Sequence, residues 1–202
     1  MNKIRGHQHS PGCYRKSCRG VGLLEVLVAM VVVSFGVLGL AGMQLTGMKH
    51  SAGGYNRSKA VLYAENMVTR MRLNPSAVIG KEYDGFDSNT FNSCATKPAT
   101  YCQVHPASAT TTTAAAACTA TQMATFDKFS IVCGNWSASE SKGVNGLVAE
   151  LPNGRIQIIC DDGASCDADS YYTISVTWSE DSGVDDDETT TDAKRVQVRF
   201  NP

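Results

Sequence analysis

Apolar residues dominate one long stretch near the beginning of the chain. From Val21 to Met48, 28 consecutive positions carry a single charged side chain, that of Glu25. A helix needs roughly 20 such residues to cross the core of a bilayer, so the pattern predicts a transmembrane helix over residues 21–48. The apolar region of an ordinary cleaved signal peptide is shorter, about 7 to 15 residues.

A helical pattern continues beyond this stretch. Small and apolar residues recur at a spacing of three and four, which places them on one face of a helix, while the charged residues lie elsewhere. We expect an amphipathic helix over residues 49–74. It should end at Asn74, because Pro75 disfavours helical geometry in the preceding residue and lacks a backbone N–H. The expected buried positions are Ala60, Ala64, Met67, Val68 and Met71.

The C-terminal half alternates apolar and polar residues with the period of β-strands. Pro152, Asn153 and Gly154 form a turn signal, which predicts a hairpin over residues 146–160. The threonine- and alanine-rich residues 107–122 predict a loop with transient helix. The predicted strands are residues 129–133, 146–151, 155–160, 171–178 and 195–200.

These elements predict an α+β fold. A long N-terminal helix crosses the membrane with its first half and packs its second half on an antiparallel β-sheet. The sheet belongs to a globular region over residues 75–202, which we expect outside the membrane.

Charge is distributed unevenly along the 202 residues. Residues 1–20 contain five lysines and arginines and no acidic residue, whereas the rest has 13 basic and 19 acidic residues, a net charge of −6. Basic residues before an apolar span keep that side in the cytoplasm, so residue 49 onward is expected outside. The acidic remainder lacks the clustered basic residues that bind phosphate backbones, which argues against a nucleic-acid partner.

Glu25 is the unusual residue of the apolar stretch. An ionisable group in a membrane span costs about 2.5 to 3.5 kcal/mol on insertion scales, so a functional partner is expected for it. The alternative is a side chain near the end of the span that reaches the interface. Cleavage between Gly20 and Val21 would create an α-amino group about 6 Å from Glu25 along the helix axis, which supplies a cation.

These residues resemble the class III signal of type IV pilins and pseudopilins: a basic leader ending at Gly20, an apolar stretch, and a glutamate at the fifth mature position. The resemblance implies that prepilin peptidase removes residues 1–20 and N-methylates Val21. It also implies that Glu25 pairs with the N-terminal amine of a neighbouring subunit during assembly. The first mature residue of the family is usually Phe, and here it is Val21.

The end of the predicted helix, Met-Arg-Leu-Asn-Pro at residues 71–75, is similar to the PilV branch of minor pilins. This resemblance implies a minor pilin that helps to prime or cap a type IV pilus, supporting adhesion and twitching motility. Its partners would be other minor pilins, the major pilin and an adhesin at the fibre tip. It would reside in the inner membrane, N-terminus in the cytoplasm, and later in the fibre at the cell surface.

Two other functions stay open at this point. A minor pseudopilin of a type II secretion system would carry the same signal. A bitopic, membrane-anchored binding protein would keep its leader, because Gly20 would never be cleaved. The start of the mature chain, at Val21 or at Met1, separates the filament proteins from the anchored one.

Cysteine usage indicates an oxidising compartment. Cys13 and Cys18 lie in the leader, and an even number of cysteines outside the membrane predicts disulfides in the periplasm. Six cysteines allow 15 pairings; the short loops Cys94–Cys102 and Cys160–Cys166 are the first expectations, which leaves Cys118 with Cys133. The disulfide candidates are Cys94, Cys102, Cys118, Cys133, Cys160 and Cys166.

Motifs of enzymes are absent from the sequence. It contains no G-x-S-x-G, H-E-x-x-H or phosphate-binding glycine loop, so neither an enzyme nor a cofactor is expected. No C-x-x-C pair occurs, which argues against a metal site. The acidic residues 160–169 and 184–192 lack the ordered alternation of a calcium-binding loop and are expected to be solvated surface.

Overall fold

The computed structural model describes residues 22–90, 94–106, 112–163, 166–167, 169–181 and 191–202. The chain divides into two compact units, one extending to Met48 and the other covering Lys49–Pro202. Its elements are α1 (Leu23–Leu73), α2 (Pro75–Ile79), β1 (Phe86–Asp87), a 3₁₀ turn (Ser88–Thr90), β2 (His105–Pro106), β3 (Thr112–Thr113), α3 (Ala120–Cys133), β4 (Gly134–Ser137), β5 (Lys142–Asn145), α4 (Leu147–Glu150), β6 (Arg155–Cys160), β7 (Tyr172–Asp181) and β8 (Thr191–Phe200).

Helix α1 begins in the first unit and ends in the second. It contains an apolar window long enough to cross a membrane, and none of that window is buried within the protein. The helix ends at Leu73, and Pro75 is the first residue of α2, so the predicted stop at Asn74 is confirmed. All five positions predicted to be buried on the outer half of α1 are buried.

The second unit contains a four-stranded antiparallel sheet in the order β1-β6-β7-β8. Central strand β7 pairs with β6 and β8 in a register that aligns Ile156, Val176 and Val196. Two smaller two-stranded ladders join β2 to β3 and β4 to β5. The buried face of α1 shares one hydrophobic core with the inner side chains of β6 and β7 and with α3, which confirms the predicted α+β fold.

Two of the predicted strands are wrong. Residues 129–133 form the end of α3, whose first turn carries a reciprocal cap: Thr119 Oγ1 accepts from the N–H of Gln122, and Gln122 Oε1 accepts from the N–H of Thr119. This capping box fixes a helix start at Ala120, nine residues before the segment that alternates like a strand. Residues 129, 131 and 133 are all buried because nearly the whole C-terminal half of the helix is enclosed.

Residues 147–150 form the short helix α4 instead of a strand, so the hairpin predicted over residues 146–160 is also wrong. Here the backbone runs against the end of α3. A Cβ at Gly146 would lie 2.3 Å from the carbonyl carbon of Cys133, so only glycine allows this approach. The turn at residues 152–154 therefore joins α4 to β6. The strands predicted at 155–160, 171–178 and 195–200 are confirmed as β6, β7 and β8.

The threonine- and alanine-rich segment is a loop only in part. Residues 112–113 form β3, residues 114–119 have no regular structure, and residues 120–122 begin α3.

Candidate assembly site

The first turn of α1 holds Glu25. The backbone N–H groups of Glu25 and Val26 bind the carbonyl of Gly22, at 2.9 and 3.3 Å. A carboxylate in this position interacts favourably with the positive end of the helix dipole. The side chain is exposed and lies at the head of a shallow groove. The groove is lined by Val26, Ala29, Met30, Val33 and Ser34.

The rest of the first unit presents apolar side chains to its surroundings. Leu23 is 85% exposed, Phe35 71% and Met43 75%. Contiguous apolar surface of this extent on a soluble protein marks a membrane or protein interaction site. Glu25 is therefore an acidic group at one end of an otherwise apolar helical surface.

The predicted processing residues, Gly20 and Val21, lie outside the described residues, as do Cys13 and Cys18 of the leader. Glu25 is the fourth residue of the part of the chain that the structure describes. The predicted ion pair joins its carboxylate to the N-terminal amine of a neighbouring subunit.

A buried polar network connects the end of α1 to α3. The Asp127 carboxylate, which is 4% exposed, accepts hydrogen bonds from Arg70 Nη1 at 2.8 Å and from the Tyr83 hydroxyl at 2.7 Å. Asn74 Nδ2 donates to the Tyr83 oxygen at 3.2 Å and to the Ala120 carbonyl at 2.8 Å. Burial, reinforced by the neighbouring Asp127, raises the pKa of Tyr83 well above its ordinary value.

The network explains the polar residue at the end of the helix. Asn74 leaves helical geometry, and its side chain ties three segments of chain together: the end of α1, the loop at Tyr83 and the start of α3. Sequence reasoning used Asn74 only as a helix stop. Asp127, the one acidic residue of α3, is the sequence signal that could have pointed to this network, because a buried carboxylate needs a charged or hydrogen-bonding partner.

A second ion pair joins α1 to α4. Lys59 Nζ lies 2.5 Å from Glu150 Oε2, and this hydrogen bond raises the pKa of Lys59 above its ordinary value. Tyr63, one helical turn further, is half-buried beside the same carboxylate, and burial is the main cause that raises its pKa to about 12. Lys59, Tyr63 and Arg70 follow one another at helical spacing, so these polar contacts lie along one side of the buried apolar face of α1.

All six predicted cysteines form disulfides: Cys94–Cys133, Cys102–Cys118 and Cys160–Cys166. The expected Cys160–Cys166 pair is confirmed, while the Cys94–Cys102 and Cys118–Cys133 pairs are wrong. The reason is α3, which separates Cys118 from Cys133. Its 14 residues span about 21 Å, whereas the Cα atoms of a disulfide lie within about 7 Å.

Acidic side chains on the sheet are used in local contacts. Asp87 accepts from Arg155 and from Gln157 Nε2, and the Arg155 hydrogen bond holds the pKa of Asp87 below its usual value. Asp161 pairs with Arg199 Nε at 2.5 Å, which lowers the pKa of Asp161 in the same way.

Among the described residues, no group of three or more histidine, cysteine, aspartate or glutamate side chains is arranged to hold a metal ion. Residues 184–190 of the second acidic segment lie outside the described residues.

Comparison with known proteins gives two adjoining family matches. Residues 15–41 match the prokaryotic N-terminal methylation motif. Residues 42–129 match the Tt1218-like family, described as type IV pilin Tt1218. Searches of curated proteins and of solved structures found no match. The first family covers Gly20, Val21 and Glu25, and the second continues through the outer half of α1 into α3.

Proposed function

We propose that this chain, a type IV pilin-family protein with an N-terminal methylation motif, is a minor pilin that helps to prime or cap a type IV pilus. Members of this family are structural, so the prediction that the chain is not an enzyme is confirmed. The family implies prepilin peptidase and pilus subunits as partners. It also implies a location in the inner membrane before assembly and in the pilus afterwards.

The observation that carries the proposal is the exposed apolar half of α1 with Glu25 at its head. Leu23, Phe35 and Met43 are more than two-thirds exposed, so this surface requires an apolar environment. Lipid provides it before assembly, and the apolar helices of other subunits provide it afterwards. The same apolar side chains fit both environments, because they need no polar contact in lipid or against other apolar helices.

Processing supplies the group that Glu25 needs. In the proposed sequence, prepilin peptidase hydrolyses the Gly20–Val21 bond, releases residues 1–20 and methylates the new amine of Val21. Residues 21–48 then form the membrane and filament-core segment, residues 49–74 its amphipathic continuation, and residues 75–202 the exposed globular region. The amine of one subunit pairs with Glu25 of the next, which neutralises both charges inside apolar surroundings.

The end of α1 supports the minor pilin branch. The Met-Arg-Leu-Asn-Pro sequence of residues 71–75 ends the helix and places Asn74 in the buried network. We therefore favour a PilV-type subunit that acts with other minor pilins, the major pilin and a tip adhesin in adhesion and twitching motility.

Glu25→Gln tests the assembly role. Insertion and cleavage should be unchanged, because the leader and Gly20 are intact and loss of a charge eases burial. Recovery of the subunit in sheared pili should fall, because the amine of the neighbour loses its counter-ion, and an unpaired buried charge costs several kcal/mol. Abundance in the inner membrane should stay at the parental level.

Thr46→Ala is the matched control, since Thr46 lies outside the groove headed by Glu25 and its Oγ1 donates to the Gly42 carbonyl of its own helix. It should enter pili like the parent. If Glu25→Gln also enters pili like the parent, Glu25 is an interfacial residue without a role in assembly.

Replacement of Gly20 by Phe tests the processing step. A bulky residue at the cleavage position should block the peptidase, so the precursor should accumulate in the membrane with its leader of 20 residues attached. Gly36→Ala, where a Cβ meets nothing within 4 Å, is the control and should be cleaved normally. An unchanged mature mass for the Gly20 variant, read by mass spectrometry, contradicts the assignment. Recovery of the chain with type II secretion components instead of pilus subunits would reject the pilus role.

A further inference from the structure

The sheet of the second unit has a long open edge. Strand β8 is the last of the four strands and pairs with β7 over all ten of its residues, from Thr191 to Phe200. Among the described strands, none pairs with its other side. An edge of this length is a template for another strand.

The hydrogen bonds of β7 determine which groups of β8 point outward. Ser179 N–H donates to the Pro152 carbonyl, and the Tyr171 carbonyl accepts from Asp161 N–H. The backbone N–H and C=O groups of the odd-numbered residues in β7 therefore point away from β8. Even-numbered residues of β7 therefore bond to β8, and the register pairs them with even-numbered residues of β8. In an antiparallel ladder both groups of one residue point the same way. The N–H and C=O groups directed to the open edge belong to Ala193, Arg195, Gln197 and Arg199.

The two faces of β8 differ in chemistry. Val196 and Val198 lie on the core side and are only partly buried, so a further strand beside them would cover apolar surface. Arg195, Gln197 and Arg199 lie on the outer side and are exposed. A complementary strand would be apolar at the positions beside the valines and polar at the alternate positions.

Charge determines which strand fits this edge. Strand β8 has three cationic side chains, Lys194, Arg195 and Arg199, and one acidic side chain, Asp192. Arg199 is already paired with Asp161, so the charge preference of the outer face depends on Arg195. Like charges opposite one another destabilise a strand pair, and opposite charges stabilise it. A second copy of β8 or a basic segment is therefore disfavoured, and an acidic segment is favoured. The other usual protections of an edge, a proline or a bulge, do not occur in β8, whose register is continuous.

We propose that the open edge of β8 binds an extended acidic segment of a partner protein by strand addition. Backbone groups at positions 193, 195, 197 and 199 form the hydrogen bonds. Arg195 selects for acidic side chains on the outer face. This site goes beyond the proposed role in pilus assembly and depends on neither Glu25 nor cleavage at Gly20.

The probe is a fluorescein-labelled eight-residue peptide that alternates valine and glutamate, with a proline at each end to prevent self-association. Binding to the full chain in mild detergent is measured by fluorescence anisotropy. The comparison peptide alternates valine and lysine. The glutamate peptide should bind and the lysine peptide should not, because both share the backbone pattern and differ only in charge.

Gln197→Pro removes one outward N–H and leaves the bonds between β8 and β7 in place, since proline is tolerated where the edge of a strand faces outward. It should weaken binding about fivefold, the loss of one backbone hydrogen bond. Gln197→Thr is the matched control, because both variants lose the bond from Gln197 Nε2 to Ser175 Oγ, and it should bind like the parent. Thermal unfolding confirms that both variants are folded.

Arg195→Glu changes no backbone group and tests the site even if the proline variant fails to fold. It should reverse the preference, with the lysine peptide binding better than the glutamate peptide. Equal binding of both peptides to the parent, no binding of the glutamate peptide, or an unchanged preference in Arg195→Glu overturns the proposal.

Discussion

Tyr83→Phe is the sharpest test of how the second unit is held together. The tyrosine is completely buried, and its hydroxyl donates to Asp127 Oδ2 at 2.7 Å and accepts from Asn74 Nδ2 at 3.2 Å. The substitution removes one oxygen and keeps the ring. Packing is preserved, so the measured effect belongs to the hydrogen bonds.

The expected loss of folding stability depends on which hydrogen bonds of the network remain in the variant. A hydrogen bond to a charged group contributes about 1.5 to 3 kcal/mol. Asp127 keeps its bond to Arg70, and Asn74 keeps its bond to the Ala120 carbonyl, so neither group is left without a partner. We therefore expect about 2 kcal/mol of lost stability, in the lower half of that range.

Urea unfolding of the full chain in mild detergent, followed by the fluorescence of Trp136 and Trp178, measures this loss. Tyr171→Phe is the control, since Tyr171 is 46% exposed and its ring, which packs under Arg199, is retained. It should change stability by less than about 0.5 kcal/mol. In a double-mutant cycle, Asp127→Asn should cost less in the Tyr83→Phe background than in the parent.

A Tyr83→Phe variant as stable as Tyr171→Phe would refute the reasoning. The hydroxyl would then contribute nothing, and the end of α1 would be held by apolar contacts alone. Additive effects of Tyr83→Phe and Asp127→Asn would likewise show that the two side chains do not interact.

Three further outcomes follow from the structure. The Arg155 hydrogen bond lowers the pKa of Asp87, so this carboxylate stabilises the fold above about pH 4 and the benefit is lost as the pH falls through the lowered pKa. The stability difference between the parent and Asp87→Asn should therefore be present at pH 7 and shrink at pH 3 in urea unfolding. Gly134→Ala should lower the free energy of unfolding by about 3 kcal/mol or more, because φ is 78° and a Cβ would lie 2.0 Å from the Val144 carbonyl oxygen. Gly85→Ala is the comparison: its φ is positive but the space around it is open, so it should lower the free energy of unfolding by about 1 kcal/mol. Peptide mapping of the mature protein without reduction should give no free thiol and the three pairs Cys94–Cys133, Cys102–Cys118 and Cys160–Cys166; two or more reactive thiols would contradict it.

Long periodic patterns were predictable from the sequence. The buried face of α1 repeats over several turns, and β6, β7 and β8 alternate over six or more residues. The structure of short segments was not predictable in the same way. Residues 129–133 alternate like a strand, but the capping box at Thr119 and Gln122 had already committed the chain to a helix. A window that began at Thr119 would have contained that signal.

Features that depend on tertiary contacts could not be read from the sequence. The network around Asp127 joins residues 57 positions apart, and no local pattern connects them. The conformation of residues 146–151 depends on the backbone of Cys133, which approaches Gly146 too closely for a side chain. Short-loop pairing of cysteines failed because it ignored the length of the intervening helix.

The disulfide connectivity also bears on how the subunit is made. The Cys102–Cys118 bond lies entirely within the loop closed by Cys94–Cys133. As an exported chain emerges in order, Cys94 and Cys102 are the first two thiols to reach the oxidising side, and the bond between them is not native. Cys94 must stay reduced until Cys133 arrives, or a thiolate must later attack the wrong bond and exchange it, which takes minutes to hours without a catalyst. We therefore expect the yield of this subunit to depend on the isomerase activity of the compartment as well as on its oxidising power.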